Sequence, residues 1–87
     1  MAGDWQRQKV DVICQHTMEG EIIPLRIRLH DEDGVLQTFN IRAYKDITVH
    51  DNFTNIWTFD CKILVMDTLR PIRLFYHAVD GVWKIQK

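Results

Sequence analysis

Apolar residues recur at every second position along most of the chain, and short turn signals break the runs. A period of two is the pattern of a strand with one buried and one wet face, and no stretch carries a helical period. From Lys9 to Thr17, Val10, Val12 and Cys14 share a face, with Ile13 an apolar exception on the other. Ile23 to His30 alternates most cleanly: Ile23, Leu25, Ile27 and Leu29 are expected inside, and Pro24, Arg26, Arg28 and His30 outside. Pro24 marks an edge or a strand beginning, because proline has no N–H to give to a ladder. Asp31-Glu32-Asp33-Gly34 then supplies a tight turn with the positive φ that a hairpin needs.

The third strand, Val35 to Tyr44, is expected to turn Val35, Phe39, Ile41 and Ala43 inward along with Gln37, and Leu36, Thr38, Asn40, Arg42 and Tyr44 outward. Lys45 to Thr54 reads as an irregular connection with room for a short strand. Asn55 to Met66 should bury Trp57, Phe59, Cys61, Ile63 and Val65, and its length suggests a bend or bulge. Met66 to Pro71 reads as the next turn. The fifth strand, Ile72 to Val79, carries Ile72, Leu74, Tyr76 and Ala78 on one face and Arg73, Phe75, His77 and Val79 on the other, so both faces are expected to be partly covered. Asp80-Gly81 is a two-residue hairpin signal leading into Val82 to Gln86, whose apolar face is Trp83 and Ile85.

Six short strands joined mostly by hairpins make an all-β antiparallel meander, and a chain of 87 residues does best by curling it into a small, partly open β-barrel. The alternative is an open twisted sheet that hides its bare face in a homodimer. One domain is expected over residues 1–87, with 1–8 as a tail whose Trp5 lids one barrel end or anchors a partner.

Composition narrows the chemistry. Eleven Lys and Arg against twelve Asp and Glu give a net charge of −1, which removes a global electrostatic case for nucleic acid. No apolar run approaches the ~20 residues that cross a bilayer, so no membrane partner is expected. The polar start of the chain lacks a signal sequence, so a cytoplasmic setting is expected and the Asn52-Phe53-Thr54 sequon is incidental. Cys14 and Cys61 read as reduced, buried thiols. The chain has no serine, no glycine-rich phosphate loop and no paired metal-ligand spacing among His16, His30, His50 and His77, although strand pairing could bring His30 and His77 together. No cofactor or metal is expected, and the chain reads as a non-enzyme. The acidic turn could offer oxygen ligands, but it reads first as a hairpin turn.

What remains is a basic face. Arg26 and Arg28 share the outer side of the second strand, and Arg42 and Tyr44 share a side of the third, so pairing the two would place a ring beside three guanidiniums. Lys62 and Arg73 lie opposite the apolar sets of their strands, while Asp11, Asp46 and Asp60 are placed to neutralise the patch. A merely solvated sheet face would look similar. The leading expectation is an interaction module, monomeric or homodimeric, that engages another macromolecule through a strand edge or the Arg26, Arg28, Arg42 and Tyr44 face, protein ahead of nucleic acid. A single-stranded DNA or RNA binder using that face is the alternative, and an enzyme without a local motif is the third.

Ile23-Pro24-Leu25-Arg26-Ile27, the Asp31–Gly34 turn, Trp57-Thr58-Phe59-Asp60-Cys61, Arg73-Leu74-Phe75-Tyr76 and Trp83 together resemble a group of short, stand-alone, uncharacterised all-β proteins of Gram-positive bacteria. The resemblance runs from Lys9 onward and rests on turns and core aromatics. It implies the all-β fold and a bacterial cytoplasmic setting, and it brings no catalytic or binding residues.

Overall fold

The computed structural model describes residues 8–31, 33–48 and 55–86. Six antiparallel strands follow one another: β1 (Gln8–His16), β2 (Ile22–His30), β3 (Leu36–Asp46), β4 (Ile56–Val65), β5 (Thr68–His77) and β6 (Val82–Gln86). Each pairs with the next, and β1 pairs with β6 to close the ring, so the barrel is completed within one chain. Trp5, the sequon at Asn52 and His50 lie outside the described residues, as does most of the expected 1–8 tail.

Two strands are shared between halves of the wall. β1 pairs with β6 through Gln8–Val10 and with β2 from Asp11 to His16. β3 pairs with β2 from Leu36 to Asn40 and with β4 from Ile41 to Asp46. Such switching strands make the corners of a small barrel, and bulges let the backbone turn.

The bulges overturn part of the alternation read from the sequence. Cys14 faces Pro24 and Ile13 faces Arg26, which leaves Leu25 as an extra residue in β2. The face therefore flips at Leu25. Ile22 and Pro24 are buried, Ile27 is fully buried, and Leu25 points out, whereas Ile23 and Leu25 were expected in and Pro24 out. In β3, Ile41 faces Ile63 and Ala43 faces Lys62, so Arg42 is the extra residue. Phe39 and Ile41 pack on the core as expected, but Ala43 is exposed and Tyr44 takes the inner register opposite buried Cys61. Val35 is exposed in the turn before β3. The bulge expected in β4 lies instead in its neighbour, and β4 pairs with β5 without interruption from Ile56 to Val65.

Turn boundaries shift as well. Thr68 to Pro71 belong to β5, and the β4–β5 connection shrinks to Met66 and Asp67. Pro71 is tolerated because it pairs with Lys62 on one side while β6 pairs with β5 only as far as Arg73, so the missing N–H costs no β6 bond. Lys45 and Asp46 extend β3. The β5–β6 connection spans four residues rather than two, with the Gly81 N–H donating to the His77 carbonyl at 2.8 Å.

The interior is small and aromatic. Phe59, Ile27, Leu74 and Pro24 are the largest fully buried side chains. Phe59 stacks on Trp83 at 5.9 Å between centroids, Trp83 meets Tyr76 at 4.9 Å, Tyr76 meets His16 at 6.1 Å, and Tyr44 meets Phe59 edge-on at 6.3 Å. Phe75 is 5% exposed although its cross-strand neighbours Thr58 and Lys84 belong to the outer face, so β5 is covered on both sides there, as expected.

Met66 and Asp67 both carry positive φ, at 49° and 67°. A two-residue hairpin demands this, and Asn-Gly meets the demand without the strain that a longer side chain suffers. Replacing Met66→Asn together with Asp67→Gly should raise the urea unfolding midpoint by the equivalent of about 1 kcal/mol or more. An unchanged or lower midpoint would show that the turn is not strained.

Candidate interaction surfaces

The net charge hides a strong segregation. All nine Lys and Arg side chains among the described residues lie in strands, whereas Asp11, Asp46 and Asp60 are the strand acids. Among the described residues the strands thus total +6 and the turns between them −6, which makes a basic wall with acidic turns.

The first surface lies outside β1, β2 and the first half of β3. Strand bulges aim two consecutive side chains to one side, so Leu25 and Arg26 both point outward, opposite Ile13. Ile13 is 48% exposed and Leu25 42% exposed. Arg26 also faces Asn40, and Arg42, bulged out two residues beyond Asn40, continues the same side. Arg28 faces Asp11 across β1 and Thr38 across β3. Arg26, Arg28 and Arg42 therefore share an outer wall. Tyr44 does not join them, because the Arg42 bulge turns its ring toward Phe59. Ile13 and Leu25 take its place. Ile13 was visible as an exception to the alternation, whereas nothing local in the sequence marked Leu25.

The second surface is the outer face of β3, β4, β5 and β6. Lys45, Asp60, Arg73 and Gln86 form one cross-strand row, and Ala43, Lys62 and Pro71 form the next. Short side chains at Ala43 and Pro71 leave an open groove of about 630 Å³, which Tyr44, Lys45, Lys62 and Arg73 also line. The Arg73 Nε donates to Asp60 Oδ1 at 2.7 Å, and this carboxylate holds the guanidinium above its ordinary value. Both partners are half-exposed, so solvent screens the pair and it adds little to stability.

One thiol lies beside an imidazole. The Cys14 Sγ is 3.6 Å from His16 Nε2, on the inner side where Tyr76 and Trp83 pack. Burial pushes the Cys14 thiol up, against a smaller opposing pull from its Trp83 hydrogen bond, so the thiol stays protonated at neutral pH. His30 ends β2 and His77 ends β5, at opposite ends of the barrel, so strand pairing separates them rather than joining them. Among the described residues, no three His, Cys, Asp or Glu side chains gather as metal ligands do. In the acidic turn, Asp31 Oδ1 accepts the N–H groups of Asp33 and Val35 at 2.9 Å each, and Oδ2 accepts Gln37 Nε2. The Val35 N–H leads in holding this carboxyl below its usual value. Its lone pairs are spent inside the hairpin.

Among the described residues, no helix is long and apolar enough to cross a membrane. Comparison with protein-family models, curated proteins and solved structures yields no match to this chain.

Burial pushes Cys61 up to about 12 from 9.0, with the nearby Asp60 charge adding to the shift. A thiol raised in the folded state contributes stability that is complete below about pH 9 and is lost as the pH climbs toward 12, because the unfolded chain ionises first. Urea midpoints should fall between about pH 8 and about pH 11, and Cys61→Ala should flatten that fall. An equal slope in the variant would assign the alkaline loss to other groups.

Proposed function

We propose that the barrel is a non-enzymatic interaction module that binds a protein through the outer face of β1, β2 and β3. The observation carrying this reading is the bulge at Leu25, which places Leu25 and Arg26 together opposite exposed Ile13. A domain this small needs every apolar side chain it can bury, each worth roughly 1.5–3 kcal/mol when fully buried. Holding Ile13 and Leu25 outward gives up part of that. An apolar centre bordered by Arg26, Arg28 and Arg42 has the make-up of a protein interface, where aliphatic contact supplies the core and arginine the specific rim. The partner surface should be apolar with a carboxylate border. A stacking platform for bases would need an exposed ring on this face, and Tyr44 lies on the other side of its strand. With both cysteines free, we place the module in a reducing, cytoplasmic compartment.

Tagged protein should capture a partner from a lysate of the source organism that survives nuclease and high salt, and Leu25→Asp with Arg26→Glu should release it. With the purified partner, Ile13→Ala and Leu25→Ala should each weaken binding by roughly tenfold while shifting the stability of the free barrel by no more than about 0.5 kcal/mol. Capture of nucleic acid alone, or a partner indifferent to these substitutions, would reject the assignment.

A further inference from the structure

The seam that closes the barrel is its shortest. β1 meets β6 only through Gln8–Val10 and Trp83–Ile85, whereas β4 and β5 pair without interruption from Ile56 to Val65. In the middle of that short seam Lys9 faces Lys84, a like-charge pairing that destabilises a sheet. Val10 and Trp83 pack on the core, so the lysines that alternate with them both stand on the outer wall, with Cβ atoms ~5 Å apart. Neither has an acid to relieve it. Among the described residues the one ion pair joins Asp60 to Arg73, and the row beyond Lys84 continues to covered Phe75 and then Thr58. A seam built only to close would carry opposite charges or a neutral pair at this position. The same wall holds a groove of about 760 Å³ that crosses β1, lined by Lys9, Arg28 and His30 with Asp11 as its one acid.

We infer that the seam is an oxyanion site, in which a phosphate-type dianion bridges Lys9 and Lys84 and so fastens the first strand to the last. The two facing ammonium groups match the charge of a phosphate dianion, which a single carboxylate does not. Lysine meets a phosphate as a point charge, and Arg28 adds a planar fork of donors from the groove beside Lys9. With the anion in place, each ammonium faces an oxygen rather than another ammonium. Binding and closure are therefore linked, because an anion that needs both strands side by side lowers the population of the opened seam in proportion to its own occupancy. The inference rests on Lys9 and Lys84, which the protein-binding face does not use, and it stands or falls independently of that face.

Amide NMR spectra and hydrogen exchange of the intact chain test the inference, with inorganic phosphate titrated against sodium chloride at constant ionic strength and about pH 7.5, where phosphate is largely dianionic. Saturable shifts should centre on Lys9, Val10, Trp83 and Lys84, with a Kd on the order of 1 mM. Without phosphate the seam amides should exchange faster than those of β4 and β5, and at about ten times the Kd they should slow roughly tenfold. Lys9→Glu puts an acid opposite Lys84, so it should raise the urea midpoint in the absence of phosphate and abolish the response to phosphate. Lys84→Gln should cut the response at least about fivefold. Tighter binding of glycerol phosphate than of inorganic phosphate would assign the anion to a phosphorylated small molecule, and the reverse order to free phosphate. The inference is overturned by no saturable shift below about 20 mM phosphate, by an equal phosphate response in Lys9→Glu, or by a lower urea midpoint for that variant.

Discussion

Five rings in sequence, from Tyr44 on β3 through Phe59, Trp83 and Tyr76 to His16 on β1, run across the interior of this barrel. The rest of the structure depends on that contact chain. Among the described residues, the hydrogen-bonded ring is thinnest at two places, where β1 leaves β6 after Val10 and where β3 leaves β2 after Asn40. Backbone pairing is sparse there, so side chains must exclude water. His16 and Cys14 do so against Tyr76 and Trp83 at the first opening, and Tyr44 against Phe59 at the second. Large rings suit a core that has few residues to fill it, because each buries far more apolar area than an aliphatic side chain.

The two bulges serve the same constraint. A six-stranded sheet with strands this short closes only if β1 and β3 change partners partway along, and Leu25 and Arg42 stand close to where β2 and β3 part. Each bulge moves the inner face by one residue. It brings Pro24 and Tyr44 into the inner register and pushes Leu25 and Ala43 out, beside Arg26 and Arg42. The geometry that closes the barrel therefore also decides which side chains reach solvent beside one another. The same two bulges divide the wall into an apolar-and-arginine face and a lysine-rich face.

The acids and bases follow this division. Most carboxylates collect in the turns, where Asp31 ties down nearby backbone N–H groups as Asp46 does at the end of β3, and cations collect on the staves. Opposite charges placed in different regions cancel in the total and not at the surface, so a net charge of −1 coexists with strands that carry an excess of cations.

By itself the sequence determined the strands, their order and most of their faces, because a period of two is a local property of pleated backbone. Phe59, Cys61, Ile63, Leu74, Trp83 and Ile85 are buried where alternation placed them. Arg26 and Arg28 were legible as outward for the same reason. The inward turn of Pro24 and Tyr44, the outward turn of Leu25 and the grouping of Lys45 with Lys62 and Arg73 were not. Those depend on where a strand gains a residue relative to its partner, and register is a property of the pair, set by how the barrel closes and by which rings fill it. Local pattern carries a face only as far as the next bulge, and only tertiary structure says where the bulge falls.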